Sequence, residues 1–583
     1  MLAQFVSIWI VAATLGQTPA ETAWLKAVPG DVDLVIRGRG LESTSADLTA
    51  MLKAMSPRLG AMAEPALADL LTKFKDQHGE LALKTAWVGL VRAVAPGPDG
   101  VIPFAVLVIQ EDYRGVLKAL AAGKDVVLKP QDGGFDAFDN PHGAGLWYAV
   151  KGAGFVAFGP DKEFIAALAK PGAKTLDQVL TPALAKPFLA GDLGLFVNAS
   201  KLSVRYADQI DQGRQKFMDS LDQAGQRTPN GPSMEGVKLM YGRFFDAIKD
   251  ADSLTLNLDF AAEGFHLAGL LDVKAGATPV KAIASSGVGA ADLSKFAADA
   301  AFYVYMNMDA KEVARLQNLS LSMVNPGAKD SPELTKAMDL FNQQGRIETQ
   351  GSMTFGNGMR GFNVVNVSDP KAYIAALEAM LQAMKKAESP LNIYKDIKVD
   401  ADVETYQGIK FTHVVATIDS EKLTKLGGGN PGGAASLKAM FGGDAFHYWI
   451  GIDGKRVLHV TSPTWDEAKA QLDAYLKGDS GVGTVPSYQS VRAALPEQAS
   501  LLMIASAQGL VRMFASQLSA TLNKPDLKVP EDLPKEPALF GGSLTPRAPK
   551  GYEFHFVLPS QVGPVIEKGM IPLFQGLPGN VPQ

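Results

Sequence analysis

Two hydrophobic periods take turns along this chain. Short runs rich in branched and aromatic residues predict strands, and longer stretches with apolar residues three or four apart predict helices. FAVLVI from Phe104 and FNVVNV from Phe362 are strand runs of this kind. Each leads into the pattern D-x-[RK]-[GA]-x-[LI]-x-A-L, at Asp112–Leu120 and at Asp369–Leu377. An aspartate between a strand and an amphipathic stretch is the expected N-cap of a helix, and Pro370 suits the first helical position. LWYAV and FVAF around Lys151-Gly152 predict a hairpin, as do YWIGI and VLHV around Asp453-Gly454. Asp-Gly between alternating runs signals a type I′ turn. Each hairpin is expected to enter a helix opened by proline, Pro160 or Pro463.

These blocks belong to a longer series that occurs twice in the same order. DVDLVIRG from Asp31 matches DAAFYVYM from Asp299, and LGLFVNASKLSVR from Leu193 matches SLLMIASAQGLVR from Ser500. GFHLAGLL from Gly264 matches EFHFVLP from Glu553, each strand being followed by Pro-Val, at Pro279-Val280 and Pro564-Val565. The series predicts two tandem homologous modules, residues 21–286 and 287–574, divided near Ser286-Gly287, with a disordered tail at 575–583. The first module carries an extra helix marked by Val237, Met240, Phe244 and Ile248; the second carries an extra Gly-rich loop, Gly427 to Gly433. Hairpins and short strands joined by single helices predict an α+β fold, each module a mainly antiparallel sheet with helices packed on one face. A cleft shared by the two modules is the expected place for a ligand.

The first twenty residues change the picture of where the chain works. They hold no charged side chain, are almost wholly apolar from Phe5 to Leu15, and end at Thr18-Pro19-Ala20. This is the pattern of a secretory signal with a cut before Glu21, too short for a spanning helix. The expected location is therefore extracytoplasmic, periplasmic or secreted. Beyond residue 20 no transmembrane span is expected, since 47% apolar and 20% charged residues are ordinary globular usage. A net charge of −5 with scattered basic residues gives no footprint for nucleic acid. The chain has no cysteine, which excludes disulfides, a thiolate nucleophile, cysteine-ligated metals and a lipid anchor on cysteine.

Candidate chemistry is sparse. His266 and His555 stand in matching Phe-His contexts, and Trp147 and Trp449 each precede a hairpin turn; these four are the tentative contacts for a ligand or partner. The competing reading places the histidines on a plain strand face and the tryptophans in the core. On a two-residue Asp453-Gly454 turn, His459 faces Tyr448 and His447 faces Val460, so the two imidazoles point opposite ways and share no metal. His78, His142 and His413 have no companion at metal-ligand spacing, and HExxH does not occur. Asp112 and Asp369 read as caps rather than catalytic acids. GGGNPGGAASLK lacks the Gly-Lys-Ser/Thr of a phosphate loop, and no G-x-S-x-G elbow or EF-hand occurs. No catalytic residue, metal or cofactor is expected.

Val28-Pro29-Gly30-Asp31-Val32-Asp33-Leu34-Val35 fits the opening VP-x-D-x-x-[LV]-V. In this and in its repeated blocks the chain resembles uncharacterised exported bacterial proteins of planctomycete type, built from repeated α+β modules of unknown function. The resemblance implies an extracytoplasmic place and no reaction. The leading expectation is a non-enzymatic binding or structural protein of the envelope. Its partner would be an envelope protein or a glycan. The alternatives are a glycan- or peptide-binding module using the cleft between the repeats, and a hydrolase whose carboxylates assemble only in space.

Overall fold

Runs such as FAVLV and FVAF lack the alternation of a half-solvated strand, and in the structure both are buried on both faces. The computed structural model describes residues 19–575 apart from 79–82, 93–102, 142, 144, 173, 181, 228–233, 276–286, 316–331, 356–357, 387–392, 427–437, 439–441, 479–480, 522–528 and 548–550. The signal segment up to Thr18, the tail from Gly576, His142, Pro279-Val280 and the Gly-rich run Gly427–Gly433 lie outside the described residues. The architecture is α+β, with antiparallel sheets and many helices. It divides into two compact units, Met1–Asp208 with Ile248–Ala275 and Gln209–Ala247 with Gly276–Gln583.

The strands of the first unit are β1 (Leu34–Gly38), β2 (Trp87–Val91), β3 (Phe104–Val108), β4 (Lys129–Gln131), β5 (Phe135–Asp139), β6 (Leu146–Gly152), β7 (Phe155–Gly159), β8 (Leu193–Val197), β9 (Ala251–Ala261) and β10 (Gly264–Val273). They pair in the order β4-β5-β6-β7-β3-β2-β1-β8-β9-β10, every neighbour antiparallel. The second unit has β11 (Gly289–Ala290), β12 (Phe302–Asp309), β13 (Arg346–Thr354), β14 (Arg360–Asn366), β15 (Tyr394–Tyr406), β16 (Ile409–Ile418), β17 (Ala445–Asp453), β18 (Arg456–Thr461), β19 (Gln498–Ala499), β20 (Leu501–Ser506), β21 (Leu539–Arg547) and β22 (Gly551–Pro559). Apart from the small β11–β19 pair, these run β15-β16-β17-β18-β14-β13-β12-β20-β21-β22, again antiparallel throughout. Strand for strand, the two successions are the same.

Helices pack on both faces of each sheet over part of its width, not on one face as expected. In the first unit Val88, Ala105, Val150 and Ala157 pack with Phe164, Ile165 and Leu168 of helix Lys162–Ala169. Their chain neighbours Trp87, Val106, Ala149 and Val156 pack with Val116, Leu117 and Leu120 of helix Tyr113–Leu120. Adjacent strand residues point to opposite faces, so these are two cores on two sides of one sheet. The second unit repeats this. Leu458 and Trp449 pack toward helix Trp465–Lys477, while Val457 and Ile450 pack toward helix Pro370–Lys386. Covering the reverse face with the helix that follows β3 or β14 is what makes those strands apolar throughout.

Several local expectations are met and others are corrected. The Asp112 carboxylate accepts from the Gly115 amide, and that of Asp369 accepts from the Lys371 and Ala372 amides. Replacing Asp112 by alanine is expected to cost about 1 kcal/mol, read as a lower urea midpoint for the first unit. An unchanged midpoint would mean that the cap contributes nothing. The helices after the hairpins begin two residues after the prolines, at Lys162 and Trp465, since Asp161 and Thr464 are their caps. The turns also shift. The last paired residues are Gly152↔Phe155 and Asp453↔Arg456, leaving Ala153-Gly154 and Gly454-Lys455 at the bends. Gly454 takes φ 63° at the first central position with no positive φ at Lys455, which is the demand of a type II′ turn rather than type I′. Residues 209–247, expected with the first module, group with the second unit. Arg214 pairs with Asp246 at 2.9 Å, and Phe217 meets Tyr241 at 4.4 Å between centroids, tying helices Ala207–Arg227 and Met234–Asp250 together.

Strand β15 is the last strand on its side of the second unit's sheet. Lys395, Asp396 and Lys398 alternate in sign along it, followed by the acidic Asp400, Asp402 and Glu404, and a bulge interrupts its pairing between Asp400 and Glu404. Charges and bulges are how sheets blunt an open edge.

Candidate functional site

Strand alternation puts His413 and His447 on one face of the β16–β17 pair. His413 lies directly across from Trp449, and Val415 directly across from His447, so the two histidines are diagonal neighbours. His413 Nε2 and His447 Nδ1 are 3.1 Å apart. The His413 ring lies over the Trp449 indole, 4.6 Å between centroids and 3° between planes. Trp449 is 2% exposed and meets Trp465, the first residue of helix Trp465–Lys477, at 5.5 Å. The two histidines are half-buried at the border of this aromatic group. Burial pushes both imidazoles below the ordinary histidine range, and the His447 charge lowers His413 further, while Asp400 across the β15–β16 ladder opposes the fall. At neutral pH both rings are therefore uncharged, one donating its N–H to the bare nitrogen of the other. Among the described residues no three His, Asp or Glu side chains gather as a metal site.

His413 has the companion that its place in the sequence denied it. Linear spacing missed the pair because β16 and β17 are joined by a long connection, not a tight turn, so the register cannot be counted from the chain. His459 behaves as expected in one respect: it lies on the face opposite His447. Its partner is Ile450 rather than Tyr448, because the turn sits one residue further on. It packs edge-on to Tyr373 at 5.9 Å, its Nε2 is buried without a hydrogen-bond partner, and burial pushes its pKa down to about 4.

The four tentative contact residues are not brought together as two equivalent pairs. Counted through the ladders, Val35, Phe196, Thr255 and Leu270 answer to Tyr303, Ile504, Gly541 and Val557. On that count His266, opposite Asp259, answers to Glu553, and His555 answers to Ala268. The matching Phe-His strings are thus two residues out of register. His555 Nε2 is 2.8 Å from Glu553 Oε1, and this contact holds the Glu553 carboxyl below its usual range.

Trp147 and Trp449 are one residue out of register, because Tyr148 pairs with Gly159 where Trp449 pairs with Val460. They lie on opposite sheet faces of their own units. Trp147 is 6% exposed, stacked on Phe158 at 6.0 Å and edge-on to Phe104 and Phe138. Both indoles are enclosed by protein.

Asp33 of the VP-x-D segment is buried and ion-paired with Arg205, while the exposed Asp31 pairs with Arg92 at 3.0 Å. Asp33 thus ties β1 to the helix Ala199–Arg205 that follows β8.

A separate feature is an apolar sheet face in the second unit. Val304 pairs with Met503 and Gly351, Met306 with Leu501, and Phe302 with Met353. The same face continues through Leu544 and Phe554 on β21 and β22. Met503, Leu501 and Met353 are 50%, 38% and 36% exposed, whereas Tyr303, Tyr305, Leu502 and Ile504 on the reverse face are fully buried. Among the described residues no helix is long and apolar enough to cross a membrane. No protein-family model, curated protein or solved structure matches this chain.

Proposed function

We propose that this chain is an exported envelope protein with a non-enzymatic binding role, built from two copies of one module. The exposed apolar patch of Leu501, Met503 and Met353 on β20 and β13 carries the reading. An antiparallel sheet with one solvated face normally alternates apolar-in with polar-out, and here the outward set is also apolar. The face carries no charged side chain, so its complement is an uncharged apolar strand or helix of an envelope protein rather than a glycan. The matching strand successions of the two units support duplication. The apolar start of the chain and the resemblance to exported planctomycete-type proteins support export. Trp24 and Leu25 are buried in the first unit's core, so a cut before Glu21 leaves the first packed residues in the mature chain.

The test is capture of bound protein from the native envelope by the tagged chain. Replacing Leu501 and Met503 together by glutamate is expected to abolish capture while leaving the melting temperature unchanged, because both side chains already face outward. Undiminished capture by the double variant would refute the role of this face. N-terminal mapping of the mature chain is expected to begin near Glu21.

A further inference from the structure

We propose that His413 and His447 form a proton-sharing pair that holds one proton and expels a second, making this patch an acid-responsive element of the fold. The argument begins with the contact itself. Nitrogens 3.1 Å apart fit an N–H donating to a lone pair, which needs one hydrogen between the two rings. A proton taken from solvent gives an imidazolium that still donates to its neutral neighbour. A second would set two cations face to face with nothing between them, so the pair titrates in two steps belonging to both rings.

The surroundings decide where the first proton rests. His413 lies flat on the Trp449 ring, the geometry in which a cation meets the negative face of an indole. Asp400 stands directly across from His413 and favours its charged form, tempered by Lys398, which pairs with Asp400 at 2.7 Å. On helix Trp465–Lys477 the nearby charges are satisfied among themselves or by neighbours. Asp466 pairs with Lys469 at 2.6 Å, Glu467 with Arg360 at 2.7 Å, and Asp473 accepts from Tyr406 at 2.6 Å. On β17 and β18 the charged side chains Asp453 and Arg456 pair with each other beside the turn. The Trp449 face and Asp400 therefore favour the shared proton on His413, against burial and the His447 charge. His447, which has no such support, is the ring that must leave when a second proton arrives. Burial of both rings delays the first step below the ordinary histidine range, and the charge of the first delays the second.

The experiment is a pH titration of the full chain labelled at histidine carbons, from pH 8 to 4.5, followed by NMR. In the wild-type protein His413 and His447 are expected to show two coupled steps at shared midpoints. In His447→Gln, which keeps a polar side chain at a half-buried site, His413 should titrate in a single step at a higher pH. Tryptophan emission supplies the second readout: face-on protonation of His413 should quench Trp449, with a loss that tracks the first step and moves with it in His447→Gln. Two single, independent titrations, each unchanged by substituting the other histidine, would overturn the proposal. So would an emission curve that ignores the substitution.

Discussion

Between pH 6.5 and about 4 the second unit is expected to lose roughly 3 kcal/mol of stability through one residue, His459. Its imidazole is enclosed between β18 and the helix bearing Tyr373, and burial pushes its pKa down to about 4. The unfolded chain takes up a proton on this ring near pH 6.5, whereas the folded chain refuses it until about pH 4. Proton uptake by the unfolded state thus favours unfolding across that window. The loss is absent above 6.5, grows as pH falls, and levels off below about 4. His413 and His447 are shifted in the same direction and add to the slope. Urea titrations of the wild type and of His459→Leu at several pH values measure it. The variant removes a ring whose Nε2 has no partner, so at pH 7.5 it should be near the wild type in stability, and its slope between pH 6.5 and 4 should be clearly shallower. Parallel slopes in the two proteins would mean that His459 is hydrated or protonated in the folded state.

Trp147→Ala and Trp449→Ala are each expected to cost about 3–5 kcal/mol, the range for emptying an aromatic site in a core. Trp147 fills a cluster with Phe104, Phe138 and Phe158, and Trp449 fills one with Phe411, Trp465 and Val460. Because the two sites belong to different units, Trp147→Ala should weaken protection of amides in β5 to β7, and Trp449→Ala in β16 to β18, as read by hydrogen exchange. A variant that kept full protection in its own unit would show that the indole is not a core element there. Such a result would restore the reading of that tryptophan as a ligand contact.

How far the fold could be read from the chain depended on whether a feature was local. The strands at Phe104 and Phe362, both aspartate caps and both hairpins are encoded within a dozen residues and are present as the pattern placed them, apart from turns shifted by one or two residues. The helix cover on both faces was also legible, in strands such as WVGLV and FVAFG whose every residue is buried. Weighing hairpins over that missing alternation produced the one-face expectation. Register was the weak point. A string match such as Phe-His-Leu with Phe-His-Phe is indifferent to a shift of two, and matching Trp147 with Trp449 crosses a shift of one, which turns a side chain to the other face. The histidine pair needed a register across a long connection, which no local signal carries. The exposed apolar patch of Leu501, Met503 and Met353 was hidden differently, because an outward apolar side chain looks like any core residue in the sequence.

The pairing of β1 with β8, and of β12 with β20, bears on the order of events in the life of the chain. Val35 sits between Leu90 and Phe196, and Tyr303 between Ser352 and Ile504. In each main sheet the first strand to be synthesised is an interior strand whose second neighbour arrives only after most of that sheet has been made. Closing so long a loop before any contact rewards it is slow. A polypeptide that has to be threaded unfolded through a translocation channel gains from such a delay. Under the proposed export, each sheet would close only once its late strand had crossed.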